Sequence, residues 1–422
     1  VIPLFALIAL SVLGYALLSR RLASTIVTAP LFFGAAGLIA GPALGLIEPR
    51  TAQGLVVVLE AALVMVLFAD ASSLDLGRWT REAGLAGRLL ALGLPLTMAA
   101  GTLLALVLFA GMDPWQAALV GVILAPTDAA LGQAVVANPR VPAVIRNALN
   151  VESGLNDGLA LPFVTILITI GLLAAGVETE LEAVETLLRA LVGSAAIGLV
   201  AGVAGGWLIR RSAELGLGER RWQPIALIAL ALGTYVLTDG FEASGFLAVW
   251  VAGLAAGTML RRGEMDASFR LSEETADVLG ALGFLLLGAG LLVPVLERAT
   301  PATIAYAVLS LTVARMLPVA LAMLRTGFAR PSVAYVGWFG PRGLASIVFT
   351  AVVIESGVPG AVAVADAVLL TVAISAVAHG TTAAWGARRY ARWFEAAAAR
   401  DPAIAEAAEL PDAPGVRRAR AR

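Results

Sequence analysis

The sequence has no cysteine among its 422 residues, which excludes disulfides, iron–sulfur clusters and thiolate metal sites. It has one histidine, His379, too few imidazoles for a zinc or haem centre of the usual kind. Lysine is absent as well, so every basic side chain is an arginine. Charge is scarce overall: 14% of residues are charged against 59% hydrophobic, and the net charge of -1 carries no information about partners. No soluble stretch is both basic and aromatic enough to bind nucleic acid. The period-two alternation over about ten residues that a membrane β-barrel needs is also missing.

What the chain does have is far more apolar surface than a soluble domain could bury. Its apolar runs match the roughly 17 to 25 residues that carry a helix across the hydrocarbon layer. They fall near 2–19, 28–46, 52–70, 85–110, 115–137, 145–175, 187–209, 222–238, 243–260, 275–296, 302–324, 332–355 and 361–386, roughly thirteen in all. The pattern predicts an all-α polytopic membrane protein. The first run has no basic residue before it and no small-residue cleavage site after it, so it reads as a span and not a signal peptide. Val1 as the first residue points to a trimmed start or an unusual start codon.

Arginine placement tests this count independently, because positive charge concentrates in cytoplasmic loops. Alternate loops collect Arg20 and Arg21, then Arg78, Arg81 and Arg88, then Arg140 and Arg146. The same side continues with Arg210, Arg211, Arg220 and Arg221, with Arg261, Arg262 and Arg270, and with Arg325 and Arg330. The opposite side receives only Arg50, Arg189 and Arg298, together with Glu178, Glu180, Glu182 and Glu185. That asymmetry supports an odd number of spans, with the N-terminus outside and the C-terminus in the cytoplasm. The expected organisation is a membrane domain over 1–390 and a short cytoplasmic tail over 391–422. The tail, too short to be a domain of its own, should be a brief helix and then disorder, its arginines facing anionic lipid.

Two spans are interrupted. Ala125-Pro126-Thr127-Asp128 lies mid-way along the fifth, where proline removes a backbone donor and clashes with the preceding turn. Gly337-Trp338-Phe339-Gly340-Pro341-Arg342-Gly343 breaks the twelfth at a similar depth. Membrane backbone gives up helical hydrogen bonds only where protein or a watery cavity satisfies it. The two breaks sit in spans of opposite orientation, which is the sequence mark of inverted repeats with an ion site at the bilayer midplane. The repeat arms, and the expected core, are the helices over about 85–175 and 302–386.

The chemistry concentrates in Asn150-Val151-Glu152-Ser153-Gly154-Leu155-Asn156-Asp157-Gly158, inside an apolar run. A carboxylate at membrane depth costs about 3 kcal/mol or more, so such residues are kept on ion paths and proton relays. Helical spacing puts Glu152 and Asn156 on one face and Ser153 and Asp157 on the adjacent one. Asp128 and Thr127 at the first break can reach the same space. Together they supply the carboxylate, hydroxyl and carbonyl oxygens that a hard monovalent cation wants. Burial favours the protonated form of a carboxylate, so a proton and a cation would compete for Asp157 near neutral pH. If the empty charged site cannot cross, obligatory exchange follows. Glu152 needs a counter-charge. Arg315 and Arg342 are the intramembrane cations; Arg315 is the expected partner and Arg342 the expected support at the crossing, though the two could be exchanged.

At these residues the chain resembles the monovalent cation:proton antiporter superfamily, in particular the sodium/proton exchangers of its first subfamily, of bacterial and archaeal type. The matching parts are Thr127-Asp128, Glu152-Ser153-x-x-Asn156-Asp157, Ala314-Arg315 and Pro341-Arg342-Gly343. The resemblance runs through most of residues 1–390 and implies a sodium/proton antiporter fold of thirteen helices. It further implies a six-helix core moving like an elevator against a dimerisation domain, in a homodimer in the cell membrane. By the same resemblance Asp157 is the ion-binding aspartate, and Asp128, Ser153, Glu152 and Thr127 surround the Na+. Asn156 stands where electrogenic relatives carry a second aspartate, which implies electroneutral exchange. Gly154 departs from the leucine expected in many relatives. No cofactor is implied beyond the transported Na+ and H+, and sodium, lithium and potassium all stay open.

Other polar residues have plainer expectations. Glu60 and Asp366 could line an ion funnel but read as hydrogen-bonded or interfacial groups, Asp239 and Glu242 as a solvated loop, and His379 as structural. Trp79, Trp115 and Trp222 fit interfacial anchors. An intramembrane aspartyl protease would need a Gly-x-Gly-Asp setting that neither Asp128 nor Asp157 has. A passive cation channel would need a continuous pore, for which inverted breaks give no reason.

Overall fold

In the computed structural model, residues 2–407 are described except 23–24, 44–48, 75–83, 129–130, 132–134, 136–137 and 261–265. Among the described residues the chain is all helix and turn, with no strand. The helices are α1 (Ile2–Leu22), α2 (Ala29–Ala43), α3 (Pro49–Ser73), α4 (Gly84–Leu108), α5 (Pro114–Ile123), α6 (Ala143–Ala174) and α7 (Glu180–Glu214). They continue as α8 (Gln223–Asp239), α9 (Gly245–Leu260), α10 (Asp266–Leu286, then a π-turn and Leu292–Glu297) and α11 (Pro301–Ala322). The last are α12 (Arg330–Trp338), α13 (Leu344–Glu355) and α14 (Ala361–Arg400).

Seven of these are long and apolar enough to cross a membrane. That is fewer than the expected thirteen spans, and the breaks account for part of the difference: α5 and α13 are apolar but only 10 and 12 residues long. The arginines at 78, 81, 261 and 262, the Trp79 anchor, most of the fifth span beyond Asp128 and the tail beyond residue 407 lie outside what the structure describes.

Two packed groups meet along a seam. Helices α2, α3, α7, α8, α9 and α10 pack on one another, and α4, α5, α6 and α11 to α14 form the second group. In a lipid setting helices associate by close van der Waals fit, and small residues permit it. On α9, a Cβ at Gly253 or Gly257 would run into the α3 backbone at Phe68 or Ser72. Across the seam α6 touches α3 and α9, α13 touches α3 and α10, and α2 touches α14. The polar turn of α6 is therefore presented to α3 and α9.

Helix α14 is 40 residues long, about 60 Å at 1.5 Å per residue, twice the hydrocarbon thickness. It runs unbroken past residue 390, where the membrane domain was expected to end, because Ala-rich sequence favours helix. Beyond it the chain folds back: Glu406 is buried and accepts hydrogen bonds from the Ala329 N–H, 2.9 Å away, and from the Ser332 hydroxyl at the start of α12.

Candidate functional site

The two breaks cross and hold each other. Helix α5 stops at Ile123, because the two residues after Ala125 are Pro126, which has no N–H, and Thr127. Helix α12 stops at Trp338, and the chain stays non-helical until Leu344. The Asp128 N–H donates to the Pro341 carbonyl at 2.8 Å, and the Leu344 N–H donates to Asp128 Oδ2 at 3.1 Å. The Asp128 carboxylate thus caps the N-terminus of α13, where a negative charge is favoured by the helix dipole.

Carbonyls freed at the end of α5 are also satisfied. Arg342 Nη1 donates to the carbonyls of Ala125 at 2.6 Å and Pro126 at 3.1 Å, and the Ser346 hydroxyl donates to Ile123 at 2.8 Å. Ser375 on α14 accepts from the Arg342 N–H at 2.8 Å. Gly343 is required by contact: a Cβ there would overlap the Asp128 carboxylate. A Cβ at Gly340 would likewise overlap the Arg315 guanidinium.

Helix α6 supplies the rest. Glu152, Ser153, Asn156 and Asp157 are all buried. Glu152 accepts both terminal nitrogens of Arg315, at 2.6 and 2.9 Å, and both residues are 1% exposed. Of the two buried arginines it is Arg315 that meets Glu152. Thr127 Oγ1 lies 3.0 Å from Ser153 Oγ and accepts from Asn156 Nδ2 at 2.8 Å. Asn156 therefore fixes the hydroxyl pair, while its own Oδ1 has no partner.

Asp157 differs from its neighbours. Among the described residues it has no hydrogen-bond partner and no counter-ion, and the charges facing it are those of Asp70 and Asp128. Asp70, near the end of α3, packs against α6: a Cβ at Gly154 would sit 3.6 Å from its Cβ. Gly158, one turn further along, is covered by the Trp250 indole of α9. Pro162 on α6 cannot donate to the Gly158 carbonyl, which leaves that oxygen unclaimed by the helix beside Asp157. Asp277 and Glu273 on α10 face Asp70 in turn.

Sequence reasoning missed Asp70 and Trp250. Asp70 is the last residue of an expected span, followed by Ala71-Ser72-Ser73, and looked like a terminus. Among the described residues no three His, Cys, Asp or Glu groups converge on a metal-like point. An ion here would be held by mixed oxygens: Asp157 and Asp128 carboxylates with the Ser153 and Thr127 hydroxyls.

Several of the polar residues outside the site have partners. Arg298 makes a bidentate pair with Asp366 at 2.7 and 2.8 Å, Tyr235 hydrogen-bonds Glu60, and Arg189 pairs with Glu242. His379 is buried, its Nδ1 against Ser375 and its ring 5.0 Å from that of Trp338.

The family profile described as sodium/hydrogen exchanger, transmembrane, matches residues 7–389. The chain belongs to the sodium/hydrogen exchanger family. It is an integral membrane protein of a cation/proton antiporter family. The K(+)/H(+) antiporter NhaP of Alkalimonas amylolytica is 28% identical over 384 residues, 90% of this chain and 64% of that protein. The K(+)/H(+) antiporter NhaP2 of Shewanella sp. (strain ANA-3) is 27% identical over 276 residues, 65% of this chain and 47% of its own length. This exchanger-family chain thus spans roughly half to two-thirds of the length of these two relatives. The sodium proton antiporter MjNhaP1 from Methanocaldococcus jannaschii, solved at pH 8, has the same fold: TM-score 0.71 at 21% identity, covering 92% of this chain and 97% of that one.

Proposed function

We propose that the chain exchanges one monovalent cation for one proton across the membrane, with Asp157 as the carrier. The observation that carries this reading is the state of Asp157: buried, without a partner, beside the Ser153 and Thr127 hydroxyls and facing Asp128 and Asp70. A buried carboxylate with no counter-ion must take up either a proton or a cation to be neutral. Glu152 is already neutralised by Arg315, and Asp128 is engaged with the Leu344 N–H. One group thus exchanges its occupant, which supports a one-for-one, electroneutral stoichiometry with the neutral Asn156 beside it.

Sodium is the proposed cation, and lithium fits the same small hard-oxygen site. A K+/H+ exchange is the second reading, supported by the two NhaP relatives, which are named K(+)/H(+) antiporters. Movement of the α4–α6 and α11–α14 group along the seam would carry Asp157 from one face to the other, as an elevator. A homodimer built on the other group, with the N-terminus outside and the C-terminus in the cytoplasm of a prokaryotic cell, completes the proposal. Purified protein in proteoliposomes tests it: an imposed sodium, lithium or potassium gradient should drive proton movement the opposite way, unaffected by membrane potential. Cation flux without proton movement would make it a passive channel instead.

A further inference from the structure

Where α12 and α14 diverge on the arginine-rich side of the membrane, they leave an open groove of about 840 Å³. Its wall is aromatic, with Tyr335 and Trp338 from α12, Phe339 just beyond it, and Trp385, Tyr390 and Trp393 from α14. Its rim carries Arg389 and Arg392. Four observations point to a ligand. First, neither arginine has a carboxylate partner among the described residues, although Arg140 nearby is fully engaged by Glu395 at 2.8 and 3.0 Å. The Arg389 guanidinium lies over the Trp385 ring, 5.6 Å from its centroid. Second, Tyr335 is only 6% exposed, yet its hydroxyl has no hydrogen-bond partner. Third, Trp385 is 56% exposed, a large cost in water but an ordinary state for a tryptophan at the headgroup level. Fourth, α14 is about twice the hydrocarbon thickness, so the stretch from Trp385 to Trp393 falls where it leaves the membrane.

We propose that this groove is a binding site for an anionic glycerophospholipid, whose phosphate lies between Arg389 and Arg392 and whose acyl chain follows the aromatic wall. Basic pockets between membrane helices hold anionic headgroups by this chemistry. Charge selects the occupant. The chain's own tail beyond residue 407 carries Arg417, Arg418, Arg420 and Arg422 and would be repelled by the same two guanidiniums. A zwitterionic lipid would bring an ammonium to a site already positive. The place matters because Trp338 ends α12 and Phe339 begins the break that leads to Arg342. An occupant therefore supports the segment that holds the crossing, from the lipid side. The proposal rests on the lipid-facing groove and not on the ion site, so it stands apart from the transport reading.

The test is native mass spectrometry of the full chain released from micelles holding equal phosphatidylglycerol and phosphatidylcholine. The wild type should retain phosphatidylglycerol in preference. Arg389→Gln with Arg392→Gln should lower that preference about tenfold or more, at roughly the worth of a surface arginine to an anionic lipid. Ala334→Trp, which fills the groove with both arginines in place, should lower total retained lipid. Arg210→Gln with Arg211→Gln removes arginines that already share Glu214 and should change nothing. Equal retention of the two lipids by the wild type, undiminished preference in the double arginine variant, or undiminished total retention by Ala334→Trp would overturn the site. The charge and volume variants reach the groove independently, so misfolding of one leaves the other decisive. Retention is read without an ion gradient, so its failure is distinct from failure of antiport.

Discussion

Glu152 and Arg315 form a bidentate pair at 2.6 and 2.9 Å with both side chains 1% exposed, joining α6 to α11 one turn from Asp157. Removing one partner of such a pair leaves an uncompensated buried charge and costs about 3–5 kcal/mol. Arg315→Met alone should therefore lower the detergent-solubilised Tm sharply, and Glu152→Gln alone should do so as well. Both together with Glu152→Leu in place of the glutamine should recover most of the loss. Additive losses in the double variant would show that the pair does not act as a unit.

Gly343 lies against the Asp128 carboxylate so closely that a Cβ has no space. Gly343→Ala must push the two breaks apart, at a cost of about 1–3 kcal/mol, and displace Asp128 from the Leu344 N–H. Transport should fall more than tenfold. Gly233→Ala on α8 is the contrasting change: nothing lies within 4 Å of the new Cβ, and a helical Gly→Ala gains up to about 1 kcal/mol. A thermal-shift and flux comparison of the two variants checks both expectations.

Competition at Asp157 has a definite sign with pH. Protonation removes the cation's ligand, so the apparent cation affinity should weaken as pH falls, approaching tenfold per unit once the proton is the main occupant. As pH rises the affinity should level off, and turnover should then fall for want of protons. A bell-shaped flux profile whose acid limb moves down in pH as cation concentration is raised is the expected result. An acid limb indifferent to cation concentration would separate the two ligands.

The end of the chain is clamped twice on the arginine-rich side. Glu406 is buried against Ala329 and Ser332, and Arg140 binds Glu395. Hydrogen bonding from Arg140 holds the Glu395 carboxyl below its ordinary range. A depressed carboxyl contributes stability above its unfolded value and loses it as pH falls through the folded one. The solvent-exposed Arg140 contact should thus weaken in acid and in high salt. Glu406→Ala should expose Arg400 to trypsin faster than wild type at every pH, while Glu395→Gln should remove only the acid-dependent part. Cleavage rates followed by mass spectrometry distinguish the two clamps.

The parts of the site that sequence makes legible are those written contiguously or by proline. Pro126 and Gly340-Pro341 mark the breaks because a missing N–H removes a helical hydrogen bond, although Pro162 and Pro318 are accommodated within their helices. Glu152 to Asp157 declare a polar face through their spacing alone. Which arginine meets Glu152 was open on sequence, because Arg315 is 163 residues away and only the packing of α11 on its neighbours decides it. Asp70 was missed for the same reason: it joins the site only where α3 packs against α6 beside Gly154. The count of spans is less legible than the fold, since a broken span gives two helices that are each too short to cross. The lipid-facing groove and the burial of Glu406 could not be read from a segment whose composition suggests only a charged tail.

The most direct test of the central claim is proton movement in proteoliposomes under an imposed sodium gradient, with the membrane potential clamped at two values. The account predicts proton flux opposite to sodium, one for one, the same at both potentials and abolished by Asp157→Asn. Sodium flux without protons, flux that follows the potential, or full exchange by the Asp157→Asn variant would contradict it.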